Sequence, residues 1–382
     1  MKIAFLIERL DPARGGAETW VAGFTARLVA EGHDVHVFSR EGSVVSEGVT
    51  LHAVPVTGLG RATQSAAFAR SVEQMLADET FDVVHGVGKT IGQDVYQPHG
   101  GVHLAALEAN VRMRGGAAAW FKQLSYALSL KQRVFRRIEH AQYVERPARV
   151  FVALSERVKR DMQRFYGVAD DRIEVVPNGV DVERFHPRHR ERLREPTRQQ
   201  LRIDADETVF LVVAHNFRLK GVWELVKCVT ASKFPPCRLV VVGDGDAEPL
   251  VAFASRRTPG RVLFTGAVVD TVPCYAAADA YVHPTWYDPC SLVVLEALAS
   301  GLPVLTSTMN GASELMTDGR EGWIVTPGTR ELDAKMRTLF DASLRERMGV
   351  AARALAEDHT VGHNVREMTA IYEKVIRLRE NA

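Results

Sequence analysis

The chain has 382 residues, of which 46% are hydrophobic, and its formal net charge is only +1. The length predicts about two domains with separate cores, and the balanced charge argues against a protein that binds nucleic acid. The four cysteines show neither C-x-x-C nor metal-ligand spacing, so we expect reduced thiols in a cytoplasmic protein. No apolar run approaches the ~20 residues that a membrane-spanning helix needs.

The first part of the chain alternates strand-like and helical segments. Residues 3–7 form a continuous apolar run of the kind that is buried in a parallel sheet. Apolar residues then recur at helical spacing from Ala17 to Glu31. Further strand-like runs follow at 35–38, 81–85 and 150–154. This alternation is typical of an open α/β sheet, and it predicts a first domain over residues 1–185.

A second series of the same kind occupies the rest of the chain. It begins with the apolar run 209–213 and continues to 304–306, which predicts a second domain over residues 200–360. The polar, highly charged segment before it, 186–200, is expected to be surface or linker. Two Rossmann-like domains facing across a cleft are therefore the simplest architecture for this α/β chain.

Residues 102–141 differ in character from the rest of the first domain. Seven positive charges against two negative ones give the segment a local charge of +5, and aromatic residues such as Trp120 and Phe121 are interleaved with them. This combination is compatible with an amphipathic helix that rests on an anionic lipid surface. A solvated helix packed on its own domain explains the same pattern, and both interpretations stay open.

Two carboxylates eight residues apart stand out in the second domain. Glu296 is the one charged residue in the apolar run 292–299, where an unpaired carboxylate is costly. It predicts a ligand rich in hydroxyls, such as ribose, and the alternative is a buried acid paired with a Lys or Arg. Asp288 directly precedes Pro289, so it is either part of the same site or the N-cap of a helix that starts with proline.

A cationic loop follows the first strand of the second domain. Lys220 and Arg218 lie in this loop, and the carboxyl ends of parallel strands are where ligands bind in such sheets. We expect both side chains to neutralise a diphosphate as it leaves. The run 242–246 lacks the full G-x-G-x-x-G pattern, which argues against NAD. We expect a site that needs no metal and no cofactor besides its substrates.

The first domain contributes weaker candidates. Gly15 and Gly16 follow the first strand, where the missing Cβ lets backbone approach a phosphate or sugar, although a plain strand-to-helix turn would also explain them. His99 lies beside two glycines at a strand end, and we expect it to line the cleft, with a structural histidine as the alternative. Lys89 and Asp94, just upstream, are candidates for the acceptor side.

Taken in order, several motifs resemble the retaining GT-B glycosyltransferases of family 4. The resemblance covers nearly the whole chain. The motifs that carry it are Gly15-Gly16-Ala17-Glu18, Val176-Pro177-Asn178-Gly179-Val180-Asp181, Arg218-Leu219-Lys220-Gly221, Val242-Gly243-Asp244-Gly245, and Asp288 through Gly301-Leu302-Pro303. Within the family, the stretches 89–94, 310–314 and 102–141 look most like lipopolysaccharide core glucosyltransferases.

The resemblance implies roles for individual residues. Lys220 matches the lysine that binds the donor diphosphate, and Arg218 is a possible substitute for the arginine that usually accompanies it. Glu296 matches the acid that binds the ribose, and His99 matches the histidine that touches the donor sugar. Asp288 matches the acid that contacts the transferred sugar, although the family usually has glutamate there.

The same resemblance implies backbone contacts and a returning helix. Pro289, Cys290, Ser291 and Leu292 would offer backbone amides to the donor, with Ser291 in place of the commoner glycine. The last segment, 361–382, would form a helix that crosses back to the first domain.

The function implied is transfer of a hexose, glucose by resemblance, from a nucleoside diphosphate donor, UDP by resemblance. The acceptor would be a saccharide, lipid-linked or part of a lipopolysaccharide core, at the inner face of the cytoplasmic membrane. No enzymic nucleophile is evident, so a front-face substitution with retention is favoured over a covalent double displacement. The alternatives are a GT-B enzyme with a soluble acceptor, a nucleotide-sugar epimerase, and a non-catalytic partner protein that keeps the fold.

Overall fold

The computed structural model describes residues 1–11, 15–42 and 46–381. The chain divides into two compact units, one formed by Met1–Asn178 with Val361–Ala382 and the other by Gly179–Thr360. The division therefore lies close to, but before, the boundary at residue 185 that the sequence suggested. The described part contains no helix that is both long and apolar enough to cross a membrane.

The first unit is built on a parallel sheet. Its strands are β1 (Lys2–Ile7), β2 (Arg9–Leu10), β3 (Asp34–Ser39), β4 (Glu41–Gly42), β5 (Val49–Ala53), β6 (Val83–Val87), β7 (Val95–Tyr96), β8 (Val150–Ala153) and β9 (Ile173–Val175). Its helices before the second unit are α1 (Gly16–Ala30), α2 (Arg61–Leu76), α3 (His103–Arg112), α4 (Gly116–Leu128), α5 (Leu130–His140) and α6 (Glu156–Tyr166).

The strand order of this sheet creates a topological switch point. The order is β5-β3-β1-β6-β7-β8-β9, with β2 and β4 paired separately, and each pair is parallel. Because the chain runs outward from β1 in both directions, the carboxyl ends of β1 and β6 flank a crevice of the kind that binds ligands. The apolar run that predicted β1 is fully buried, as a sheet covered on both faces requires.

The second unit repeats the architecture. Its strands are β10 (Val209–Val213), β11 (Arg238–Val242), β12 (Val262–Gly266), β13 (Ala280–His283), β14 (Val304–Ser307) and β15 (Gly322–Val325), and its helices are α7 (His189–Gln200), α8 (Val222–Val229), α9 (Glu248–Ser255), α10 (Val272–Ala277), α11 (Leu292–Ala299), α12 (Glu331–Thr338) and α13 (Ala342–Asp358). The parallel order β12-β11-β10-β13-β14-β15 places the switch point between β10 and β13.

The charged segment 186–200 is not a linker. It forms α7, and three of its arginines face Asp279: Arg194 and Arg198 each donate to it at 2.7 Å, and Arg190 lies 3.6 Å from it. Arg198 is only 3% exposed and also donates to the Ala277 carbonyl at the end of α10. The linker interpretation was wrong, although most of the segment does lie at the surface, because charge alone does not distinguish a solvated helix from one whose arginines neutralise a buried acid.

The last helix, α14 (Val361–Glu380), belongs to the first unit. Asn364 accepts a hydrogen bond from the Trp20 indole at 3.2 Å, and its amide donates to the Pro177 carbonyl at 2.7 Å. Tyr372 lies 2.7 Å from His85 on β6. These buried contacts join α14 to α1 and to the middle of the sheet.

Candidate active site

In the second unit, the predicted site residues meet at the switch point. Since β10 pairs with β13, the loops that follow these two strands lie side by side. The loop after β10 carries Lys220, and the loop after β13 carries Asp288. Lys220 Nζ lies 2.5 Å from Asp288 Oδ2, whereas Arg218 in the same loop is exposed. The structure thus brings together the lysine and the first acid, but not the arginine.

Asp288 is a buried anion. It is 7% exposed, and burial alone would raise the pKa of its carboxyl. The charge of Lys220 and the nearby His283 outweigh burial and hold the pKa of Asp288 well below its usual range. The carboxylate is therefore ionised at neutral pH and forms an ion pair with Lys220.

His283, at the end of β13, is a site residue that sequence reasoning missed. Its Nε2 lies 3.6 Å from Asp288 Oδ2, and its Nδ1 lies 3.0 Å from the Tyr281 hydroxyl. The ring is 1% exposed, and burial lowers the pKa of His283 although Asp288 opposes the shift. Its position at a strand end was the signal available in the sequence, because such ends line ligand sites.

The loop that carries Asp288 is held by Asn310. The Asn310 side-chain oxygen accepts from the Ser291 amide at 3.2 Å and from the Ala312 amide at 3.1 Å. The Asp288 amide donates to the Met309 carbonyl at 3.0 Å, and the Gly311 amide donates to the Asp288 carbonyl at 2.8 Å. Asn310 is fully buried, and its side chain ties the backbone after Asp288 to the loop that follows β14.

This loop corrects two predictions. Helix α11 begins at Leu292 with Ser291 at the N-cap position, so Asp288 is not the N-cap. Of the four residues expected to offer backbone amides, Pro289 has no N–H and the Ser291 N–H already donates to Asn310. The Leu292 amide, at the start of α11, stays a candidate for a ligand.

Glu296 lies in α11, just beyond its first turn, and it is half-buried. The Tyr275 hydroxyl donates to its Oε2 at 2.8 Å. Burial raises the pKa of Glu296 to about 7, although the bond from Tyr275 acts in the opposite direction. Among the described residues, no Lys or Arg lies within ion-pair distance of this carboxylate, so the alternative of a paired structural acid is not supported.

In the first unit, His99 is held as a neutral ring. It packs against Trp20 with a centroid separation of 4.5 Å, and burial lowers the pKa of His99 to about 3. Within the described structure, its buried Nε2 has no hydrogen-bond partner. Buried polar atoms are usually paired, so this nitrogen is a plausible contact for a ligand at the carboxyl edge of the first sheet.

The glycines before α1 have a local explanation. Gly15 is the N-cap of α1 in an extended conformation that any residue can adopt. A Cβ there would lie 2.8 Å from a carboxylate oxygen of Glu18, which a flexible side chain can relieve. Gly16 is the first helical residue. A strand-to-helix turn and a ligand-binding turn are both consistent with this geometry.

The two acceptor-side candidates lie apart. Lys89 follows the carboxyl end of β6, and its Nζ lies 4.3 Å from the centre of the Phe135 ring. Asp94 precedes β7 at the other end of the same strand pair, where it accepts from the Val84 amide at 3.0 Å and lies 3.6 Å from Arg149. Asp94 therefore stabilises the start of the strands, and this position argues against a role at the acceptor site.

Two family models match the chain. Residues 14–184 match the model described as Glycosyltransferase Family 4, and residues 207–342 match the one described as Glycosyl transferases group 1. Both matches contain the site elements described above. The chain is a family 4 glycosyltransferase.

Individual relatives agree with this assignment. Lipopolysaccharide glucosyltransferase WaaG of Escherichia coli (strain K12) is 26% identical over 331 residues, which cover 85% of each chain. A D-inositol 3-phosphate glycosyltransferase of Nocardioides sp. is 27% identical over 403 residues, covering 94% of this chain and 85% of that protein.

Solved structures confirm the predicted GT-B fold with two Rossmann-like domains. The crystal structure of WaaG matches with a TM-score of 0.83 at 24% identity and covers 97% of this chain and 99% of that one. A crystal structure of Anabaena HepE in complex with UDP-glucose matches with a TM-score of 0.74 at 19% identity, covering 98% of this chain and 100% of that one.

The glycosyltransferase also carries two acid pairs with Asp-x-Asp spacing, Asp204-Ala205-Asp206 before β10 and Asp244-Gly245-Asp246 after β11. Asp244 Oδ1 lies 2.6 Å from His215 Nδ1 in an exposed pair. The expectation of a metal-free reaction therefore cannot rest on the sequence lacking such spacing. It stays a prediction that chelation experiments test.

The basic, aromatic segment of the glycosyltransferase presents an uncovered apolar face. None of the residues of α4 is buried, and Trp120 and Phe121 are 60% and 64% exposed. Leu128 and Leu130 are also exposed. A helix packed on its own domain would bury such side chains. The exposed apolar side chains of α4 therefore argue against the interpretation of this helix as one packed on its own domain.

Proposed function

We propose that this glycosyltransferase transfers glucose from UDP-glucose, with retention, to a lipid-linked saccharide of the lipopolysaccharide-core type. The observation that carries the proposal is the Lys220–Asp288 ion pair at the β10–β13 switch point, together with the partly buried Glu296 carboxylate on the helix that follows the Asp288 loop. The names of the relatives support the rest, because WaaG is a lipopolysaccharide glucosyltransferase and HepE has been crystallised with UDP-glucose.

In this proposal, Glu296 binds the ribose of the donor. No Lys or Arg lies at ion-pair distance from this carboxylate in the described part of the chain, so it gains most from hydroxyl donors. Tyr275 already fixes its orientation through Oε2. Two ribose hydroxyls would supply the stabilisation that burial removes. The raised pKa of Glu296 then falls when the donor binds, because hydrogen bonds to the ionised form favour it.

Lys220 changes partner during the reaction. The incoming diphosphate competes with Asp288 for the ammonium group, and Asp288 turns to the hydroxyls of the transferred sugar. The bond between the anomeric carbon and the phosphate oxygen breaks, and the acceptor oxygen bonds to the same face of that carbon. The acceptor proton passes to the departing diphosphate, whose growing charge Lys220 stabilises.

His99 and Arg218 keep smaller roles. The neutral His99 ring can donate one N–H to a sugar hydroxyl, and its unpaired Nε2 supports that contact. Arg218 is exposed, so it would have to turn towards the diphosphate. We expect no step to need a metal ion or other cofactor.

The exposed face of α4 supports an acceptor on an anionic membrane surface at the cytoplasmic side. Apolar side chains there would enter the lipid boundary while Arg133, Arg136 and Arg137 on α5 face anionic headgroups. Exchange of these three arginines for serine is expected to weaken sedimentation with anionic vesicles. Equal binding by the variant, with unchanged thermal stability, would leave the arginines without a membrane role.

Donor-dependent thermal stabilisation tests the proposal first. UDP-, GDP- and ADP-glucose are compared in EDTA, each as the shift relative to protein in EDTA alone. We expect UDP-glucose to raise the melting temperature of the wild type, Glu296→Ala to abolish the shift, and the control Glu248→Ala, an exposed acid on α9, to retain it. A response to a different nucleotide would contradict the UDP assignment, and no response to any would favour a non-catalytic partner.

Product analysis separates the remaining alternatives. The similarity to D-inositol 3-phosphate glycosyltransferases favours a soluble acceptor as the second candidate. With radiolabelled donor, we expect label to move to an extractable glycolipid. Transfer to inositol phosphate instead would establish the soluble acceptor, and release of UDP and free sugar without any acceptor would indicate an epimerase. The anomeric configuration of the product, read by NMR, tests retention.

A further inference from the structure

Away from the transferase residues, three side chains with metal-binding atoms converge on one edge of the first sheet. They are His36 on β3, His52 on β5 and Glu79, which follows α2. One nitrogen or oxygen atom from each lies within 4.8 Å of the other two. We propose that these side chains bind a divalent transition-metal ion of the zinc type.

The strand register brings the two histidines together. His36 pairs with Thr50, and Phe38 pairs with His52, in the parallel ladder of β3 and β5, so both imidazoles point to the same face. His36 Nδ1 lies 2.8 Å from His52 Nε2. Two nitrogens bound to one tetrahedral zinc ion lie roughly 3.3 Å apart, so the pair needs only a small opening to admit the ion.

The surroundings of His36 match those of a metal-bound histidine. Its second nitrogen, Nε2, lies 3.2 Å from Asp34 Oδ1. A carboxylate on the far side of the ring fixes the tautomer that leaves the other nitrogen free to bind a metal, and it raises that nitrogen's basicity. Asp34 therefore acts as a positioning residue for Nδ1 of His36.

Aromatic side chains hold both rings in place. Phe38 stacks on His52 with centroids 4.3 Å apart and planes within 5° of parallel. Phe81 meets His36 edge-on with centroids 5.1 Å apart. Because the rings are already oriented, binding a metal would not have to order them first.

Glu79 is the third proposed ligand, and its carboxylate already forms an ion pair with Lys2. Lys2 Nζ lies 2.6 Å from Glu79 Oε1, and the second oxygen of the carboxylate can take the ion while the lysine stays. Two imidazoles and one carboxylate suit zinc or a similar ion, whereas Ca²⁺ and Mg²⁺ prefer oxygen ligands throughout. The ion would join two strands and the segment after α2, so its effect would be on stability rather than on sugar transfer.

Metal titration of the whole chain tests this site. Untagged protein is freed of metal with EDTA, dialysed and titrated with Co²⁺ and with Zn²⁺. We expect one equivalent of Co²⁺ to give the visible d–d absorption of a tetrahedral complex, Zn²⁺ to displace it, and Zn²⁺ to raise the melting temperature. Mg²⁺ at the same concentration is expected to do neither.

Substitutions of the two partly exposed ligands, His52 and Glu79, test the site with little risk of unfolding the protein. His52→Ala is expected to abolish the Co²⁺ absorption, and Glu79→Gln and Asp34→Asn to weaken binding by about 10- to 100-fold. His140→Ala, which removes an exposed histidine elsewhere in this unit, serves as the control and should bind like the wild type. Equal binding by wild type and His52→Ala, or loss of binding in the control, would overturn the proposal and leave the pair as a plain hydrogen bond.

Discussion

Strand β13 has a buried carboxylate at each end, and the two acids show how a structural ion pair differs from the proposed donor site. Asp279 precedes the strand and Asp288 follows it, and each is 7% exposed. Burial alone would raise both pKa values, yet neighbouring cations hold both below their usual range. A depressed pKa therefore does not tell the two sites apart.

Their partners do. Asp279 accepts from Arg194, from Arg198 and from the Val209 amide at 2.7–2.8 Å, which satisfies both of its oxygens. Asp288 has one flexible lysine at 2.5 Å and a histidine at 3.6 Å. Planar guanidinium groups lock a carboxylate in place, whereas a lysine can move to another anion. The carboxyl end of the strand is also the end where ligands bind.

The largest effect is expected at the structural end. Arg198→Met leaves Asp279 with part of its charge uncompensated, and the free energy of unfolding should fall by about 3–5 kcal/mol. Denaturant unfolding measures this loss, and Arg192→Met, an exposed position on the same helix, is the control. The comparison fails if Arg198→Met keeps full stability, or if donor binding by the folded variant is lost as well.

At the proposed donor site, the expected loss is in activity. Lys220→Met should lower kcat/KM by about 100- to 1,000-fold, because the charge that stabilises the leaving diphosphate is gone. Steady-state kinetics measure it, with Lys233→Met, an exposed lysine of the same unit, as the control. If Lys220→Met had the kinetics of the wild type, the Lys220–Asp288 pair would have a structural role only, like the ion pairs of Asp279.

The sequence predicted the strands better than it predicted the role of α7. Apolar runs such as 209–213 identify buried strands because both faces of a parallel sheet are covered. Lys220 and Glu296 could be found because motifs and local polarity mark them. The role of α7 could not, because a charged helix shows its inward arginines only once Asp279 is placed against it.

The sequence also did not predict the roles of the residues that support the site. Asn310 and Tyr275 act through contacts with residues distant along the chain, Ser291 and Glu296 respectively. Such contacts depend on the tertiary structure and leave no local spacing to read. His283 lay at a predicted strand end, but nothing in the sequence indicated that Asp288 would face it.

The smallest predicted effect is a pH dependence of donor affinity. It arises at Glu296, whose pKa is raised, whereas the pKa values of both aspartates are lowered. With a pKa of about 7, Glu296 is half protonated near neutrality, and ribose hydroxyls bind best to the ionised form. Donor affinity should therefore fall as the pH drops through 7, by up to about tenfold per unit below the pKa. Calorimetric titration with UDP-glucose between about pH 6 and pH 8 measures this, because its diphosphate does not itself titrate in that range.

The same group acts on stability with the opposite sign. Between the usual pKa of a glutamate and 7, the folded chain binds more protons at Glu296 than the unfolded chain does, so its contribution to stability decreases as the pH rises. Glu296→Gln should remove both pH slopes, because the amide cannot ionise, while Glu248→Gln should keep them. If the affinity of the wild type is flat across this range, or if Glu296→Gln retains the slope, another group controls donor binding and Glu296 belongs with Asp279 among the structural acids.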